Sequence, residues 1–490
     1  MKKLLSVLVI ALLIVAVGFQ FWLKPDIEKD LAQALTANMK LNGMTLKEPL
    51  KVSVSPLSRT LTIDPFTADI HNEFANNGTL KAQKTTLELT LNGLLSTTDL
   101  ASLVLPKSGA LQVFTQADID AVDVSTDLAK IHMESLSVKN ATMDLPDFHK
   151  LLEGKLADPT EVLSFEEIFT PKTTIQVLDQ QSDITIGNII IEGYTPKFVA
   201  KVTLQNFDLK SPDLDLSFKE SIKTNVRLLT DAETLAITQK LLNATKNKEQ
   251  ALDAVLPLIV GKNPLIGQIE FKGIAMKIPG QSLDMGGFSL INSKQGQAVS
   301  IALNDIKIAK STIEALTSMG SLNLPENIFL SVNSTYSQES KNLANIKFNF
   351  DIKDLLNVDI TTNAHEASLE NTLLKYEQLK MQDLALVIAD QTLFARLVTK
   401  FAPPNQNPKD FVFQQMALSP NASKTEVDLT QKMKHFVEKP GKIIMKSRPN
   451  VTFHLSDLDT ENLEALTKIV TFSVEPGQQT LEEQIAQVSK

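Results

Sequence analysis

The sequence predicts an α+β fold, predominantly antiparallel β-sheet with helical segments, behind one N-terminal transmembrane helix. Three observations carry that expectation. An uncharged apolar run occupies residues 4–23. From Leu50 the apolar residues alternate with polar ones at period 2. After Asp231, blocks of helical spacing interrupt the strands.

The run from Leu4 to Leu23 would be about 30 Å long as a helix, which matches the hydrocarbon core of a bilayer. Lys2 and Lys3 precede it, and Trp22 and Lys24 stand at its far end, the flanks expected at a membrane–water boundary. The two lysines place the N-terminus in the cytoplasm and the rest of the chain across the membrane. Ala16-Val17-Gly18 would suit the cut site of a cleaved leader, but the apolar run continues through Phe21, Trp22 and Leu23, which favours an anchor.

A helix is expected from Ile27 to about Met39, stopped by Asn42-Gly43. Strands follow at Val52 and Val54, Leu61 and Ile63, Leu80 and Ala82, and Leu87, Leu89 and Leu91. In the last group Thr86, Glu88 and Thr90 point the other way. Further strands run from Val113 to Ile119 and from Ile131 to Val138, the latter with one slip in the alternation. Asn76-Asn77-Gly78 reads as a hairpin turn. Between 143 and 172, prolines punctuate helical pieces near Phe148–Leu152 and Val162–Phe169. Strands resume from Ile175 to Leu228. A helical block is expected from Asp231 to Val260 and a short helix at Ser311–Ser318, with strands between Ile269 and Thr362. The last quarter mixes strands at Leu384–Ile388, Ile443–Met445 and Val451–Leu455 with helices at Leu393–Phe401, Lys409–Met416, Lys424–Val437, Glu461–Val470 and Thr480–Val488. The domains are expected at 1–24 (anchor), 25–229 (β-rich), 230–383 (helix, then β-rich) and 384–490 (mixed helix and strand).

Composition excludes several functions. The net charge is −9, which argues against nucleic acid, whose binding needs a basic face. Cysteine is absent, which rules out a disulfide framework and suits a bacterial exported protein. The six histidines are scattered and none forms H-x-x-x-H, so no local metal site is expected. Gly280-Gln281-Ser282-Leu283-Asp284-Met285-Gly286 has the wrong spacing for a nucleophile elbow. Gly261-Lys262-Asn263 lacks the rest of a phosphate loop. Asp118 with Asp120, and Asp213 with Asp215, put carboxylates on one strand face, a geometry open to acid–base work. Edge-strand logic favours a solvated polar face instead. The expectation is of no enzyme and no cofactor.

What remains is the apolar face, rich in Leu, Ile, Val and Phe (23 Phe against 3 Tyr and 1 Trp). Left open it would be a groove for acyl chains, with Leu87, Leu89, Val113 and Ile131 as the candidate lipid-binding residues. Covered by helices or a second sheet it would be an ordinary core.

The segment Val52-Ser53-Val54-Ser55-Pro56-Leu57-Ser58-Arg59-Thr60-Leu61-Thr62-Ile63 follows the anchor. After it come Gly78-Thr79-Leu80-Lys81-Ala82, Thr86 to Leu91, and Leu94-Leu95-Ser96. This pattern resembles the opening of AsmA-like bacterial envelope proteins, over about the first hundred residues. The resemblance implies an inner-membrane protein with a periplasmic body and a part in phospholipid transport or outer-membrane assembly. The helical blocks after Asp231 depart from that family. The function expected is binding or guiding lipids or other apolar components in envelope maintenance, with the inner membrane, phospholipid or an envelope protein as partners. The alternative is a periplasmic scaffold that recruits a protein and carries no lipid.

Overall fold

The structure is a computed structural model. It describes residues 24–41, 43–55, 58–72, 75–91, 109–144, 146–147, 150, 162–229, 233, 264–279, 281–293, 297–310, 323–340, 343–365, 379–458 and 463–489. The expected membrane helix, the helical block after Asp231 and the helix at Ser311–Ser318 lie outside these residues. Among the described residues no helix is long and apolar enough to cross a membrane. The chain is mostly antiparallel sheet. Its contacts divide it into two units, residues 1–230 with 276–281, and residues 231–275 with 282–490.

The first unit opens with α1 (Lys24–Leu41), as the spacing of Ile27, Leu31 and Leu35 predicts. Then come β1 (Met44–Leu46), β2 (Val52–Ser55), β3 (Thr60–Ile63), β4 (Phe66–Asn72), β5 (Ala75–Ala82), β6 (Thr85–Leu89), β7 (Ala110–Ile119), β8 (Val122–Thr126), β9 (Ala129–Met133) and β10 (Leu136–Asp144). β11 (Phe165–Val177), β12 (Ser182–Thr195), β13 (Phe198–Lys210) and β14 (Asp215–Arg227) complete it.

The ten short strands are halves of five long ones. Leu61 pairs with Leu87 and Ala68 with Leu80, so β3 and β4 face β6 and β5 in one unbroken register. The same holds for β7–β8 against β9–β10, where Ala117 pairs with Val138 and Val124 with Ile131. β11 spans both halves, pairing Ile168 with Val138 and Ile175 with Ile131. The result is a plain antiparallel meander in which each chain segment pairs with the next.

At the break the alternation slips by one residue in every strand. Asp64-Pro65, Gln83-Lys84, Asp120-Ala121 and Glu134-Ser135 separate the apolar sets, and these pairs lie across from one another. In a straight strand such a slip would send the two sets to opposite sides. Here the backbone corners instead, with bends at Asp120 and Glu134. Leu46 and Phe66 from one half and Val54, Leu61, Ile63 and Leu89 from the other meet in a single cluster beneath Ile27, Leu31 and Leu35 of α1. Pro171 falls in the same row of β11, where the partner strand is itself interrupted, so its missing N–H costs little. A second line of special backbone lies further along. Asn140, Gly193 and Asn225 are all left-handed (φ 52°, 63° and 53°), and a Cβ on Gly193 would lie 2.8 Å from that of Ala200. Helix α1 also guards the free edge of the sheet, since the Val54 N–H donates to the Glu28 carboxylate at 2.7 Å.

The second unit contains β15 (Ile266–Ile278) and β16 (Gln281–Ser293) except for residues 276–281 where the two meet, and β17 (Ala298–Ala309), β18 (Asn327–Ser340), β19 (Leu343–Ile352), β20 (Leu356–His365) and β21 (Lys380–Asp390). Helices α2 (Leu393–Phe401), α3 (Pro408–Gln415) and α4 (Lys424–Glu438) follow, then β22 (Lys442–Ser447), a 3-10 turn (Leu455–Asp457), α5 (Leu463–Ile469), β23 (Val470–Glu475) and α6 (Leu481–Val488). From β16 to β23 each strand pairs antiparallel with the next. The ladder runs through residue 384, because β20 pairs with β21. Asn407 caps α3 ahead of Pro408, and reciprocal capping boxes start α4 (Ser423, Glu426) and α6 (Thr480, Glu483). The helices pack on one another through Ala395, Val398, Val437, Leu481 and Val488.

Several local expectations are corrected. Asn76-Asn77-Gly78 lies within β5, and Asn72 pairs with Ala75, so the chain reverses before that triplet. Val162–Phe169 is not a helix, since β11 starts at Phe165 and its ladders to β10 and β12 override the helical spacing. Leu91 does not share the face of Leu87 and Leu89, because it lies beyond β6 and is 57% exposed. Val451–Leu455 forms only an isolated bridge, Phe453 with Met381. The helix expected to end at Val470 stops at Ile469, and the alternation Val470, Phe472, Val474 forms β23.

Candidate functional site

Cross-strand partners in an antiparallel sheet lie on the same face, so the registers can be read as rows. In the first unit one row is Leu46, Ala68, Leu80, Val124, Ile131, Ile175, Ile184, Leu209 and Leu216. All nine positions are apolar. The row next to it on the opposite face is Thr45, Asp69, Thr79, Ser125, Lys130, Gln176, Asp183, Lys210 and Asp215, all polar. Beside the first row, on its own face, run Phe66, Ala82, Val122, Met133, Thr173, Ile186, Phe207 and Phe218. The last two rings stack at 4.5 Å. Across the corner a further row runs Val54, Leu61, Leu87, Ala117, Val138, Ile168, Ile191 and Val202 and ends at Lys223.

The second unit repeats the arrangement. Phe288, Leu303, Val332, Phe350, Val358, Ile388, Ile443 and Val474 form one apolar row. Leu290, Ile301, Ser334, Phe348, Ile360, Leu386, Met445 and Phe472 form its neighbour, with Ser334 the one polar member. Phe271 of β15 lies 6.3 Å from Phe288 and extends the first of these.

Burial separates covered rows from open ones. Side chains under α1 are closed off, Val54 and Leu61 among them. Leu80, Val124, Ile131, Ile175, Ile184, Leu209 and Leu216 are only half-buried, and so are Leu303, Val332, Phe350, Val358 and Ile388. An ordinary core of this composition would bury them fully. A pocket of ≈ 580 Å³ on these strands is lined by Val124, Ile131, Ile175 and Ile184 and also by polar residues of the opposite face, Ser125, Lys130, Gln176 and Asp183 among them.

The four expected lipid-binding residues are therefore not equivalent. Ile131 stands in the half-exposed row and lines that pocket. Leu87 is half-buried and packs against the α1 core, in which Leu89 is only 6% exposed. Val113 is 8% exposed and sits in a separate cluster with Leu111 and Met143. The partner of Leu87 is Ala117, and Val113 lies four residues further along β7, where bulges at Glu88/Leu89 and Ala141/Thr142 leave it between the paired residues Phe114 and Gln112. The residues that sequence reasoning missed are Ile175, Ile184, Leu209 and Phe350. Their alternation was legible, but only long-range register shows that Ile175, Ile184 and Leu209 extend the row of Ile131 and that Phe350 stands in the row of Phe288.

One further row, Met285, Ile306, Leu330, Ile352 and Leu356, ends on the carboxyl of Asp390. Its Oδ1 accepts from the Phe394 N–H at 2.8 Å, while Oδ2 is buried without a partner. Burial pushes this group up to about 6 from 3.8, against the pull of the Phe394 and Leu393 N–H groups. The folded state therefore holds the proton more tightly than the unfolded chain. Asp390 weighs least on stability below pH ~4, costs progressively more up to pH ~6, and stays at its full cost above that. Asp390→Asn keeps the acceptor for Phe394 and should stabilise the protein at pH 7 by about 2–3 kcal/mol. Urea titrations across that window should lose this dependence in the variant, and an unchanged slope would place the titration elsewhere.

Among the described residues no cluster of three His, Asp or Glu could hold a metal ion. No protein-family model matches the chain, and no curated protein matches it.

Proposed function

We propose that this protein binds or guides lipids, or other apolar components, in maintenance of a bacterial cell envelope. In this reading residues 4–23 anchor the chain in the inner membrane, the body lies in the periplasm, and no catalysis is involved. The observation that carries the reading is the set of apolar rows that cross eight or nine strands and whose large side chains are mostly only half-buried. Each large apolar side chain kept in water forgoes roughly 1.5–3 kcal/mol of burial. An acyl chain covers such a row without needing charge, which suits a chain of net charge −9. The scaffold alternative would recruit a partner through sheet edges or helices, and at the β2 edge the Val54 N–H is already taken by Glu28.

The test places photo-crosslinking residues in the full-length protein in its membrane. Positions 131 and 350 should capture lipid, whereas 81 and 349, on the opposite face, should not. Protein adducts at 131 and 350 in place of lipid would favour the scaffold.

A further inference from the structure

The pocket of ≈ 580 Å³ in the first unit lies on four neighbouring strands, β8, β9, β11 and β12, and opens on their polar face. Side chains alternate across a strand, so Met133 and Thr173 are the same-face neighbours of Ile131 and Ile175, and neither lines it. Its side-chain walls are two adjacent rows of the opposite face. Ser125, Lys130, Gln176 and Asp183 form one, and Asp123, His132, Thr174 and Thr185 form the other. Val124, Ile131, Ile175 and Ile184 reach it through the backbone between those rows. Asp123 holds His132, Oδ1 to Nδ1, at 2.7 Å. The other six polar side chains have no hydrogen bond or ion pair among the described residues. Elsewhere on this face such groups close on one another, as Lys210 does with Asp208 at 3.1 Å and Lys47 with Asp69 at 3.0 Å. Two carboxylates in the pocket stand against one ammonium and one imidazole, so its charges nearly balance.

We propose that this pocket binds a neutral oligosaccharide lying across the four strands, with Lys130, Gln176 and Asp183 as its main hydrogen-bonding contacts. A sugar hydroxyl both donates and accepts, so one ligand can satisfy an ammonium, an amide and a carboxylate standing side by side. A peptide has fixed donors and acceptors, and strand addition is closed to it here, because each of these strands is paired on both sides. A ligand of strong charge would gain from one carboxylate or the ammonium only what it lost to the other. The four strands span about 14 Å, the length of about three linked sugar rings, and the volume falls within that of ordinary small-ligand sites. The site lies on the face opposite the apolar rows and does not rest on the lipid reading.

The experiment titrates full-length protein in a polyoxyethylene detergent, which carries no sugar, with maltotetraose and the N-acetylglucosamine tetramer as neutral probes. Tetragalacturonate and the glucosamine tetramer serve as the charged counterparts. One neutral tetramer should bind about tenfold more tightly than its own monosaccharide and than either charged chain. Gln176→Ala/Asp183→Ala should weaken that binding about tenfold at an unchanged urea midpoint, since both side chains are exposed. Lys130→Met, on the neighbouring strand, gives a second reading if the midpoint moves. Binding of neither neutral tetramer overturns the proposal and leaves a solvated polar face. Preference for tetragalacturonate would make the pocket an anion site led by Lys130, and preference for the glucosamine tetramer a cation site led by Asp183. Either result overturns the proposal, as does neutral binding that both variants leave unchanged.

Discussion

Leu89→Asp should unfold the first unit, whereas Ile131→Asp should leave it folded. The two residues belong to the same alternating pattern and differ in what lies above them. Leu89 is 6% exposed and packs with Ile27, Leu50, Val54, Leu61 and Ile63. A carboxylate there has no partner, and the cost of an unpaired buried charge together with lost packing is about 4 kcal/mol or more, a large part of a domain's stability. Ile131 is half-buried in an open row, so an Asp there can reach water, and its cost should be about 1 kcal/mol. Far-UV circular dichroism and limited proteolysis on the two variants separate the outcomes. Equal destabilisation would mean that the row of Ile131 is as closed as the core under α1, which would remove the basis for the lipid reading. Loss of lipid adducts at position 350 in a folded Ile131→Asp protein is not expected, because that position lies in the other unit's row.

Gly477→Ala should be the most damaging single-methyl change in the second unit. A Cβ at this position would lie 2.1 Å from the Pro440 carbonyl oxygen, and one on Gly441 would lie 2.4 Å from both the Glu475 carbonyl and the Gly477 N–H. The obstacles are backbone atoms and cannot rotate away. The two Pro-Gly turns, Pro440-Gly441 and Pro476-Gly477, lie back to back where α4 leads into β22 and β23 leads to α6. The Gly477 N–H donates to the Lys439 carbonyl at 3.0 Å, and Pro440 is fully buried. Separating the turns would break that bond and disturb the pairing of Lys442 with Glu475. Overpacking of this kind costs roughly 3 kcal/mol or more. Urea denaturation should show a lower midpoint with an unchanged slope. Gly78→Ala serves as the contrast, since its nearest neighbours, at 3.3 Å, are the Ser125 carbonyl and a Thr126 methyl, and its cost should be smaller.

Much of the secondary structure was legible locally. Period-2 alternation marked Val52 to Ile63, Val113 to Ile119 and Ile346 to Ile352, and helical spacing marked α2, α4 and α6. Even the corner left a trace, since the slip between Met133 and Leu136 is one of the paired breaks that line up across the sheet. At Val162–Phe169 the same letters satisfied both periods, and the ladders to β10 and β12 decided for strand.

The sequence by itself determined which side chains share a face within each strand, because alternation is a property of the extended backbone. It determined the absence of disulfides, and the apolar character that any partner of these faces must match. Only the tertiary structure decided that the slips fall in one row, so that corners return both apolar sets to one side. That outcome depends on pairings such as Leu61 with Leu87 and Ile131 with Ile175, far apart in the chain. Only the tertiary structure, too, separated Leu89 under α1 from Ile131 in the open row. A pleat presents both in the same way, and what covers a face is set by elements that the strand's own residues do not encode.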